Sequence, residues 1–397
     1  MQNHAEGEVV ARVSALPQVA SIVASATDLP GDVYLVGGTV RDVILDREFL
    51  DVDLAVDGDA LAVAATIGTP SGGETRFGTV TVTSHGYRYD LARTRGERYP
   101  QPGALPEVTP AGIDADLERR DFTVNALAVG LTGARAGQLL AVPGALADIE
   151  GKRLAVLHDR SFLDDPTRLL RLARYAARLR FTIAPHTHEL ATEAIRNNAL
   201  DTVSGTRIGN ELRLLANERD PIAAFEAAAA LGLPWQIDAD VAREAINVLP
   251  PDGRRDLLVL ASVFGSRPSE QILPELDRLG FTATDRDAIA QAATRAASLA
   301  RRLAQTTSNS EIARVVGASG SETVARAFSQ GSPSQSLTWL RALRHLNLDI
   351  TGEDLIKKGI PEGPQIGQAL QAAKDALMDG LATDRESQLQ VALNPEE

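Results

Sequence analysis

The feature that most constrains the fold is a glycine pair, Gly37-Gly38, placed between a short strand signal and a short helix signal. The apolar run VYLV (33–36) leads into the glycines, and TVRDVIL comes after them with helical spacing. Glycines at such a turn let phosphate oxygens approach the backbone. The dinucleotide-binding pattern G-x-G-x-x-G and a phosphate loop ending in Gly-Lys-Ser/Thr are both absent. The pair alone is also compatible with a purely structural turn, so its meaning depends on the neighbouring segments of the chain.

Two alternating aspartates, Asp51 and Asp53, occur next in the strand-like run DVDLAV. Residues i and i+2 of a strand project to the same face, so both carboxylates are directed at one spot. Two carboxylates beside a phosphate-binding turn suit Mg²⁺, which prefers oxygen ligands, and two-metal phosphoryl transfer requires this arrangement. Asp90, in YRYDLA, is a candidate third carboxylate; the alternative is an ion pair with Arg88 or Arg93. The combination predicts a catalytic metal site.

A charged stripe lies in the segment 162–181. Its members recur at i+3 and i+4 spacing, which places them on one face of a predicted helix. They are Asp165, Arg168, Arg171, Arg174 and Arg178. Four arginines beside one acid repel one another unless an anionic guest is present, so the stripe favours binding over a solvated face.

The segment RRDFTVNAL contains a second polar group made of Arg120, Asp121 and Asn125. Arg120 is within reach of a phosphate, and Asp121 is suited to accept a hydrogen bond from a ribose hydroxyl. Helix capping by Asp121 is the alternative, and the two roles are compatible. Asn125 shares a face with Asp121 if this segment is helical.

Composition limits the function classes. A formal charge of −13 works against a broad nucleic-acid-binding face, so any RNA contact must come from local basic clusters. The absence of cysteine excludes disulfides and thiolate metal sites. No apolar run of about 18 residues occurs, which predicts no membrane span, and the N-terminus lacks the order of a secretory signal. These features predict a cytoplasmic protein.

The order of the strand and helix signals predicts an α+β fold, with a small mixed sheet in a head followed by an all-helical neck, body and tail. Strand signals end near residue 92, and the Pro- and Gly-rich segment 94–118 predicts a flexible loop. From about 160 onward helical patterns dominate, as where Asp220-Pro221 and Gly232 flank a helix. The predicted domains are the head 1–150, the neck 151–215, the body 216–310 and the tail 311–397.

Several segments together resemble the bacterial class II tRNA nucleotidyltransferase and poly(A) polymerase family, within the polymerase-β-type nucleotidyltransferase superfamily. The glycine pair with Asp51 and Asp53 is similar to the superfamily signature. RRDFTVNALAV (119–129) resembles the ribose-sensing motif, and FLDDPTRLLRLARYAARLRF (162–181) resembles the nucleobase-selecting helix. SGTRIGNEL (204–212) and EGPQIGQAL (362–370) resemble the neck and tail motifs.

The resemblance implies an enzyme that adds all or part of CCA to tRNA 3′ ends from CTP and ATP, with Mg²⁺ as cofactor and protein side chains as the template. It assigns Asp51 and Asp53 to the metal; Gly37 and Gly38 to the triphosphate; Arg120, Asp121 and Asn125 to the sugar; Asp165 and Arg168 to the base; and Arg171 and Arg174 to phosphates. It also implies a nucleotide-selecting helix in the neck and tRNA binding by the tail. Arg41 is expected to face the triphosphate, with Asp42 bracing Arg41 or the turn. Whether the protein is a monomer or a homodimer stays open.

Two segments depart from the family pattern. Asp164-Asp165 stands where Glu-Asp is usual, and AVPGALAD (141–148) lacks the aspartate and second glycine of a common turn. With the PGALPEV segment (102–108), the first departure favours the subgroup that adds only part of CCA. The alternatives are an A-adding-only enzyme, a poly(A) polymerase, a toxin-like transferase, a non-catalytic RNA-binding protein on a transferase fold, and a metal phosphohydrolase built on His158-Asp159.

Overall fold

The computed structural model describes residues 2–24, 29–49, 51–71, 78–265 and 267–394. The chain divides into two compact units, Met1–Ser204 and Gly205–Glu397. The four-part division into head, neck, body and tail stays a prediction. Phe77, which opens the predicted strand FGTVTVT, lies outside the described residues, as does the end of the helix predicted over 8–25.

A seven-stranded mixed sheet forms the centre of the first unit. The strands of this unit are β1 (Gly31–Val36), β2 (Asp51–Gly58), β3 (Thr69–Pro70), β4 (Thr79–Ser84), β5 (Tyr87–Arg93), β6 (Arg95–Arg98), β7 (Glu107–Pro110), β8 (Leu127–Gly130), β9 (Leu139–Ala141), β10 (Arg153–Leu154) and β11 (Thr182–Ile183). The main sheet has the order β3-β4-β5-β2-β1-β8-β9, in which β2 and β5 are parallel and the other neighbours are antiparallel. The predicted mixed-sheet head is confirmed.

Alternation along β2 and β5 separates the core from the candidate site. Val52 and Leu54 are fully buried on one face, as are Tyr89 and Leu91. The period of two therefore directs the intervening polar residues of both strands to the opposite face. This is the reason that the carboxylates of β2 share an open surface with the carboxylate of β5.

Helices flank the sheet and close the first unit. They are α1 (Gln2–Ser14), α2 (Pro17–Ala24), α3 (Gly38–Ile44), α4 (Ala60–Ile67), α5 (Ile113–Glu118), α6 (Ala145–Glu150), α7 (Ser161–Asp164), α8 (Arg168–Leu179) and α9 (Pro185–Arg196), with 3₁₀ turns at Thr123–Asn125, Gly133–Arg135 and Ala199–Thr202. The single helix predicted over 8–25 is instead two helices, because Pro17 starts a new one.

The segment 94–118, predicted as a flexible loop, is a hairpin followed by a helix. Strands β6 and β7 pair antiparallel, with Arg95 opposite Pro110 and Arg98 opposite Glu107. Most of its prolines lie in the connection between the strands, where no ladder hydrogen bond is lost. Gly103 in that connection has a φ of 71°, and a methyl group there would collide with Thr202. The loop prediction was therefore wrong for this structure.

Within its described residues the second unit consists of helices, one short 3₁₀ turn at Leu343–His345 and the segments that connect them. The helices are α10 (Gly205–Ala216), α11 (Pro221–Ala230), α12 (Ala239–Val248), α13 (Arg255–Phe264), α14 (Ser269–Arg278), α15 (Ala283–Leu303), α16 (Asn309–Val316), α17 (Ser321–Phe328), α18 (Pro333–Arg341), α19 (Gly352–Lys357), α20 (Pro364–Met378) and α21 (Arg385–Leu393). As predicted, Asp220 caps α11 by accepting a hydrogen bond from the Ala223 N–H at 3.0 Å. Among the described helices, none combines the length and apolar character needed to cross a bilayer.

The motif SGTRIGNEL is a close-packing element of the second unit. Gly205 and Gly209 lie one turn apart on α10, and a methyl group on either would strike the backbone carbonyl of Arg278 or Leu279 at the end of α14. Arg213, one turn further along α10, donates a hydrogen bond to the Gly280 carbonyl at 2.8 Å. The glycine spacing therefore allows two backbones to approach closely.

Replacing Gly209 by alanine is expected to lower the free energy of unfolding of the second unit by about 2 kcal/mol, because the added methyl group overpacks the contact. Gly367→Ala is the matched control, since Gly367 lies in α20 with nothing near the position of a Cβ. It should be neutral or stabilise by up to about 1 kcal/mol through helix propensity. Urea unfolding followed by tryptophan fluorescence reports on this unit, which contains Trp235 and Trp339, the only tryptophans of the chain. Equal midpoint shifts for the two variants would contradict the packing account.

Candidate active site

A cavity of about 450 Å³ in the first unit collects many of the residues singled out from the sequence. Those that line it are Gly38, Asp53, Arg120, Asp121, Asn125, Asp165, Arg168 and Arg171. Those outside its lining are Gly37, Arg41, Asp51, Asp90 and Arg174. The cavity is built from the turn after β1, from β2, from β6 and the connection after it, from the segment after α5, and from α8 with the residues just before it.

The glycine turn is fixed against neighbouring backbone. Gly37 has a φ of 64° and donates its N–H to the Leu127 carbonyl at 2.9 Å. A methyl group at Gly37 would lie 2.5 Å from the Arg120 guanidinium, so the site needs glycine for both its backbone angle and its space. The Thr39 hydroxyl accepts a hydrogen bond from the Asp53 N–H at 3.1 Å, which ties the turn to β2.

Three carboxylates lie close together on the open face of the sheet. Asp53 is directly opposite Asp90 in the parallel register, and Asp51 is opposite Arg88. Asp90 accepts a hydrogen bond from the Thr81 hydroxyl at 2.6 Å and pairs with Arg88 at 3.3 Å, so the ion pair considered from the sequence is present. The pKa of Asp53 is raised to about 6: desolvation by neighbouring protein atoms is the largest cause, Asp90 and Asp51 add to it, and Arg120 and Arg41 oppose it.

The described residues contain no group of three or more His, Asp or Glu side chains arranged to hold a metal ion. This applies both to the carboxylates of β2 and β5 and to the His158-Asp159 region. In the latter region the structure shows a hydrogen bond between His186 and Asp159 at 2.8 Å. A metal at β2 would therefore rest on two protein carboxylates, which is how Mg²⁺ is often held when phosphates and waters complete its shell.

Asp121 is a heavily hydrogen-bonded carboxylate of the cavity. Its Oδ2 accepts two bonds from Arg171, at 2.9 and 2.6 Å, and its Oδ1 accepts from the Asn125 amide and the Phe122 N–H, both at 2.9 Å. These four donors use the acceptor sites of a carboxylate. Burial by itself raises the pKa of Asp121, but Arg171 and the Asn125 hydrogen bond lower it to about 2. The direct ribose contact of Asp121 stays a prediction.

Arg41 lies behind the cavity wall and is almost fully buried. It donates to both carboxylate oxygens of Asp42 at 3.0 Å, which confirms that Asp42 braces it. Its third contact is a hydrogen bond to the Asn125 side-chain oxygen. Arg41 therefore orients Asn125 from behind, and its predicted contact with a triphosphate stays a prediction.

Asp165 and Arg168 face the cavity from the start of α8. The spacing predicts a helical stripe from Asp165 onward, but this residue has extended backbone angles (φ −134°, ψ 92°) and α8 begins at Arg168. The cause is Pro166, because a residue before proline is disfavoured in the helical region. Asp165 accepts hydrogen bonds from the Thr167 N–H and hydroxyl at 3.0 and 2.6 Å. Arg168 is fixed by Ser161 and by the Arg119 carbonyl at 2.7 and 2.8 Å.

Tyr175 is a site residue that the sequence reasoning missed. The guanidinium carbons of four arginines lie 5.1 to 5.7 Å from its ring centroid; they belong to Arg41, Arg171, Arg174 and Arg178. Its ring also meets Phe122 edge-on at 5.8 Å. The spacing of Tyr175, four residues after Arg171 and three before Arg178, is the signal that could have found it.

An ionic network in the cavity wall was also missed; Arg95, Glu97, Tyr99 and Arg119 all line the cavity. Glu97 accepts hydrogen bonds from Arg95, Arg119 and the Tyr99 hydroxyl at 2.9 to 3.1 Å. Arg119 also pairs with Asp116 at 2.7 Å. Burial and the nearby Glu97 carboxylate raise the pKa of Tyr99. No local spacing reveals this network, because Glu97 and Arg119 are far apart in sequence.

The depressed pKa of Asp121 makes a prediction about pH. The stability it contributes is fully present above its ordinary value of 3.8 and is lost as pH falls through about 2. The linkage amounts to about 2 kcal/mol. Asp121→Asn should therefore be destabilised relative to wild type most strongly above about pH 4, with the deficit narrowing below that pH.

Hydrogen exchange of peptides covering 119–130 along a urea series, repeated between pH 2.5 and 7, measures this deficit. Asp114→Asn is the control, because Asp114 is exposed and its ion pair with Arg135 lies at the surface. It should change stability little at any pH. A deficit of Asp121→Asn that is independent of pH would contradict the ionic role.

Comparison with known proteins identifies the fold of the first unit. Residues 33–155 match the poly(A) polymerase head domain. A solved CCA-adding enzyme in an apo form matches 98% of this chain and 99% of its own, with a TM-score of 0.78 and 26% identity. The Thermotoga maritima CCA-adding enzyme complexed with tRNA matches 98% of both chains, with a TM-score of 0.72 and 25% identity.

Two relatives extend the match along the sequence. The CC-adding tRNA nucleotidyltransferase of Deinococcus radiodurans is 34% identical, over 85% of this chain and 83% of that protein. The A-adding tRNA nucleotidyltransferase of Geobacter sulfurreducens is 32% identical, over 94% of this chain but 46% of that protein. The chain belongs to the tRNA nucleotidyltransferase family, which confirms the resemblance inferred from the motifs. It spans about half the length, or less, of the first curated relatives it matches.

Proposed function

We propose that the protein is a tRNA nucleotidyltransferase that adds all or part of CCA to tRNA 3′ ends from CTP and ATP. The terminal 3′-hydroxyl attacks the α-phosphate of the bound nucleotide in line, the bond between the α- and β-phosphates breaks, and pyrophosphate leaves. The observation that carries the proposal is the convergence of Asp53, Asn125, Asp165 and Arg168 on one cavity. A carboxylate for the metal, an amide for the sugar and a carboxylate–guanidinium pair for the base therefore surround one space large enough for a nucleotide.

The relatives support the choice of tRNA as substrate. Relatives that are 32% and 34% identical are named as A-adding and CC-adding tRNA nucleotidyltransferases, and one solved neighbour is complexed with tRNA. A non-catalytic RNA-binding protein would have no need for the carboxylates of β2, which this chain retains. The lack of cysteine fits the cytoplasm, where disulfides are rare, and we place the enzyme there.

Base selection is assigned to Asp165 and Arg168. Arg168 is held by two hydrogen bonds from its guanidinium and is 5% exposed, so its remaining surface faces the cavity in a fixed orientation. A carboxylate beside a guanidinium offers acceptors and donors to the edge of a base. Selection among nucleotides then needs no nucleic-acid template, because the side chains are already positioned.

The sugar and the triphosphate are assigned to other residues of the cavity wall. Asn125 is oriented by Asp121 and Arg41, and it faces the cavity where a ribose hydroxyl would lie beside the base. Gly38 allows close approach to the backbone, and Arg120 and Arg171 supply positive charge for phosphates. Three further residues lie outside the cavity lining and are assigned indirect roles. Gly37 shapes the turn, and Arg41 and Arg174 support the arginines that face the cavity.

Asp51 and Asp53 are assigned to a divalent cation, which we propose is Mg²⁺. Their fit rests on hard oxygen donors that share a strand face and on mutual repulsion with Asp90, which a cation would relieve. When bound, the cation supplies Lewis-acid activation and charge neutralisation for phosphoryl transfer. Asp90 is assigned to support this pair through its neighbouring position on β5.

The product is proposed to be part of the CCA end. The Asp164-Asp165 form and the PGALPEV segment support this choice, as do relatives named for A-addition or CC-addition. Transcripts of tRNA that end before CCA, after C and after CC distinguish the products when supplied with CTP, ATP or both. Addition of A alone to the last transcript, or of CC alone to the first, is expected; complete CCA on the first would contradict partial addition, and long A tails would indicate a poly(A) polymerase.

Asp51→Ala is expected to reduce incorporation into these transcripts by at least about a thousandfold, because it removes a cation ligand needed in the transition state. The fold should be unchanged, since the Asp51 side chain is 56% exposed. Asp57→Ala, near the other end of the same strand, is the control and should keep its activity. Retained activity of the Asp51 variant would contradict the assignment of Asp51 as a cation ligand.

Asp165→Ala is expected to relax nucleotide choice more than it weakens tRNA binding. The ratio of kcat/KM for the preferred nucleotide over GTP or UTP should fall by about ten- to a hundredfold, the value of one or two lost hydrogen bonds. Asp164→Ala is the matched control, because its carboxylate pairs with Arg160 at 3.1 Å and does not line the cavity. An unchanged ratio in the Asp165 variant would contradict protein-based selection.

A further inference from the structure

The open face of the sheet carries a positively charged side chain, Arg88, between Asp51 and Asp90. The Arg88 guanidinium lies 3.3 Å from an oxygen of Asp90, and its Nε lies 3.9 Å from an oxygen of Asp51. Both carboxylates belong to the group that the proposed function assigns to the cation or its support. Arg88 itself is 55% exposed and does not line the nucleotide cavity.

The position of Arg88 is a consequence of strand register. Arg88 and Asp90 are two residues apart on β5, so they share a face, and the parallel pairing places them opposite Asp51 and Asp53. On the other side of β5, the Thr81 hydroxyl donates to Asp90 at 2.6 Å. These neighbouring strands therefore present a polar row that combines three carboxylates, a hydroxyl and the Arg88 guanidinium.

The ion pairs of Arg88 differ from an isolated surface ion pair because three carboxylates lie together on this face of the sheet. Asp51, Asp53 and Asp90 lie on one face of neighbouring strands, with Asp53 directly opposite Asp90, so their like charges repel one another. An exposed ion pair contributes little to stability, so the fold does not depend on Arg88. A guanidinium and a divalent cation are nevertheless attracted to the same carboxylate oxygens, and occupancy by one lowers the attraction for the other.

We propose that Arg88 is an internal competitor that tunes cation affinity at Asp51 and Asp53. It neutralises the carboxylates of Asp51 and Asp90 when no divalent cation is bound, and it swings away when a cation arrives. Arg88 thereby reduces the repulsion between the carboxylates when no divalent cation is bound. As a result, the site binds the cation only at a higher concentration than the carboxylates alone would require. This inference rests on the proposed metal role of Asp51 and Asp53.

The test measures Mn²⁺ binding to the full-length protein without nucleotide or RNA, by the loss of the free Mn²⁺ signal in electron paramagnetic resonance. Arg88→Gln should lower the apparent Kd about three- to tenfold, because one positive charge is removed beside a divalent ion in a water-exposed site. The difference should shrink at high ionic strength. Arg88→Lys retains the charge and should bind more like wild type.

Arg93→Gln is the matched control for Arg88→Gln. Arg93 is an exposed arginine on the same strand, and its position places it on the opposite face of the sheet. Its loss should leave the Kd for Mn²⁺ unchanged. An equal gain in affinity for both variants would mean that net charge alone matters, and it would overturn the specific role of Arg88.

Asp51→Asn in the same titration separates this inference from the proposed function. Weaker Mn²⁺ binding by Asp51→Asn together with tighter binding by Arg88→Gln supports both. Weaker binding by Asp51→Asn with unchanged or weaker binding by Arg88→Gln overturns the competitor role and leaves the metal assignment in place. Wild-type binding by Asp51→Asn overturns the metal assignment, and the inference about Arg88 falls with it.

Discussion

The buried carboxylate of Asp121 is the interaction on which the candidate site depends. It is bonded by Arg171 of α8, by Asn125 of the 3₁₀ turn and by the adjacent Phe122 N–H. Through Asn125 it is linked to Arg41 of α3, which comes after the glycine turn. One charge therefore holds together three segments that are far apart in sequence. Because a buried charge without its partners is costly, these segments are strongly constrained to meet in one arrangement.

The arginines of the site are held in place by contacts within the protein. Tyr175 lies among the guanidiniums of Arg41, Arg171 and Arg174, and the first two are also paired with carboxylates. Their mutual repulsion is thereby offset within the protein. Side chains that are already oriented lose little entropy when a charged ligand binds, so the cavity is suited to recognise a nucleotide by fixed geometry. The same principle acts on the sheet face, where Arg88 offsets the repulsion between carboxylates.

The sequence is sufficient for those parts of the site that depend on short-range periodicity. Asp51 and Asp53 share a face because strands alternate, and the Asp220 cap and Pro221 start result from local backbone rules. The sequence is insufficient where the interacting residues are distant along the chain. The pairing of Asp53 with Asp90 depends on the order of the strands. The contact of Glu97 with Arg119 depends on a hairpin in a segment whose composition predicts a loop. The extended backbone of Asp165 is an intermediate case, since Pro166 carries the signal.

The central claim is that one cavity reads the base, the sugar and the phosphates of an incoming nucleotide. The most direct measurement is a crystal structure with a divalent cation and a non-hydrolysable analogue of ATP or CTP. We expect the base against Asp165 and Arg168, the ribose beside Asn125, and the cation on Asp51 and Asp53 with Arg88 turned away. A nucleotide bound elsewhere, or a base that makes no contact with Asp165 and Arg168, would contradict the claim.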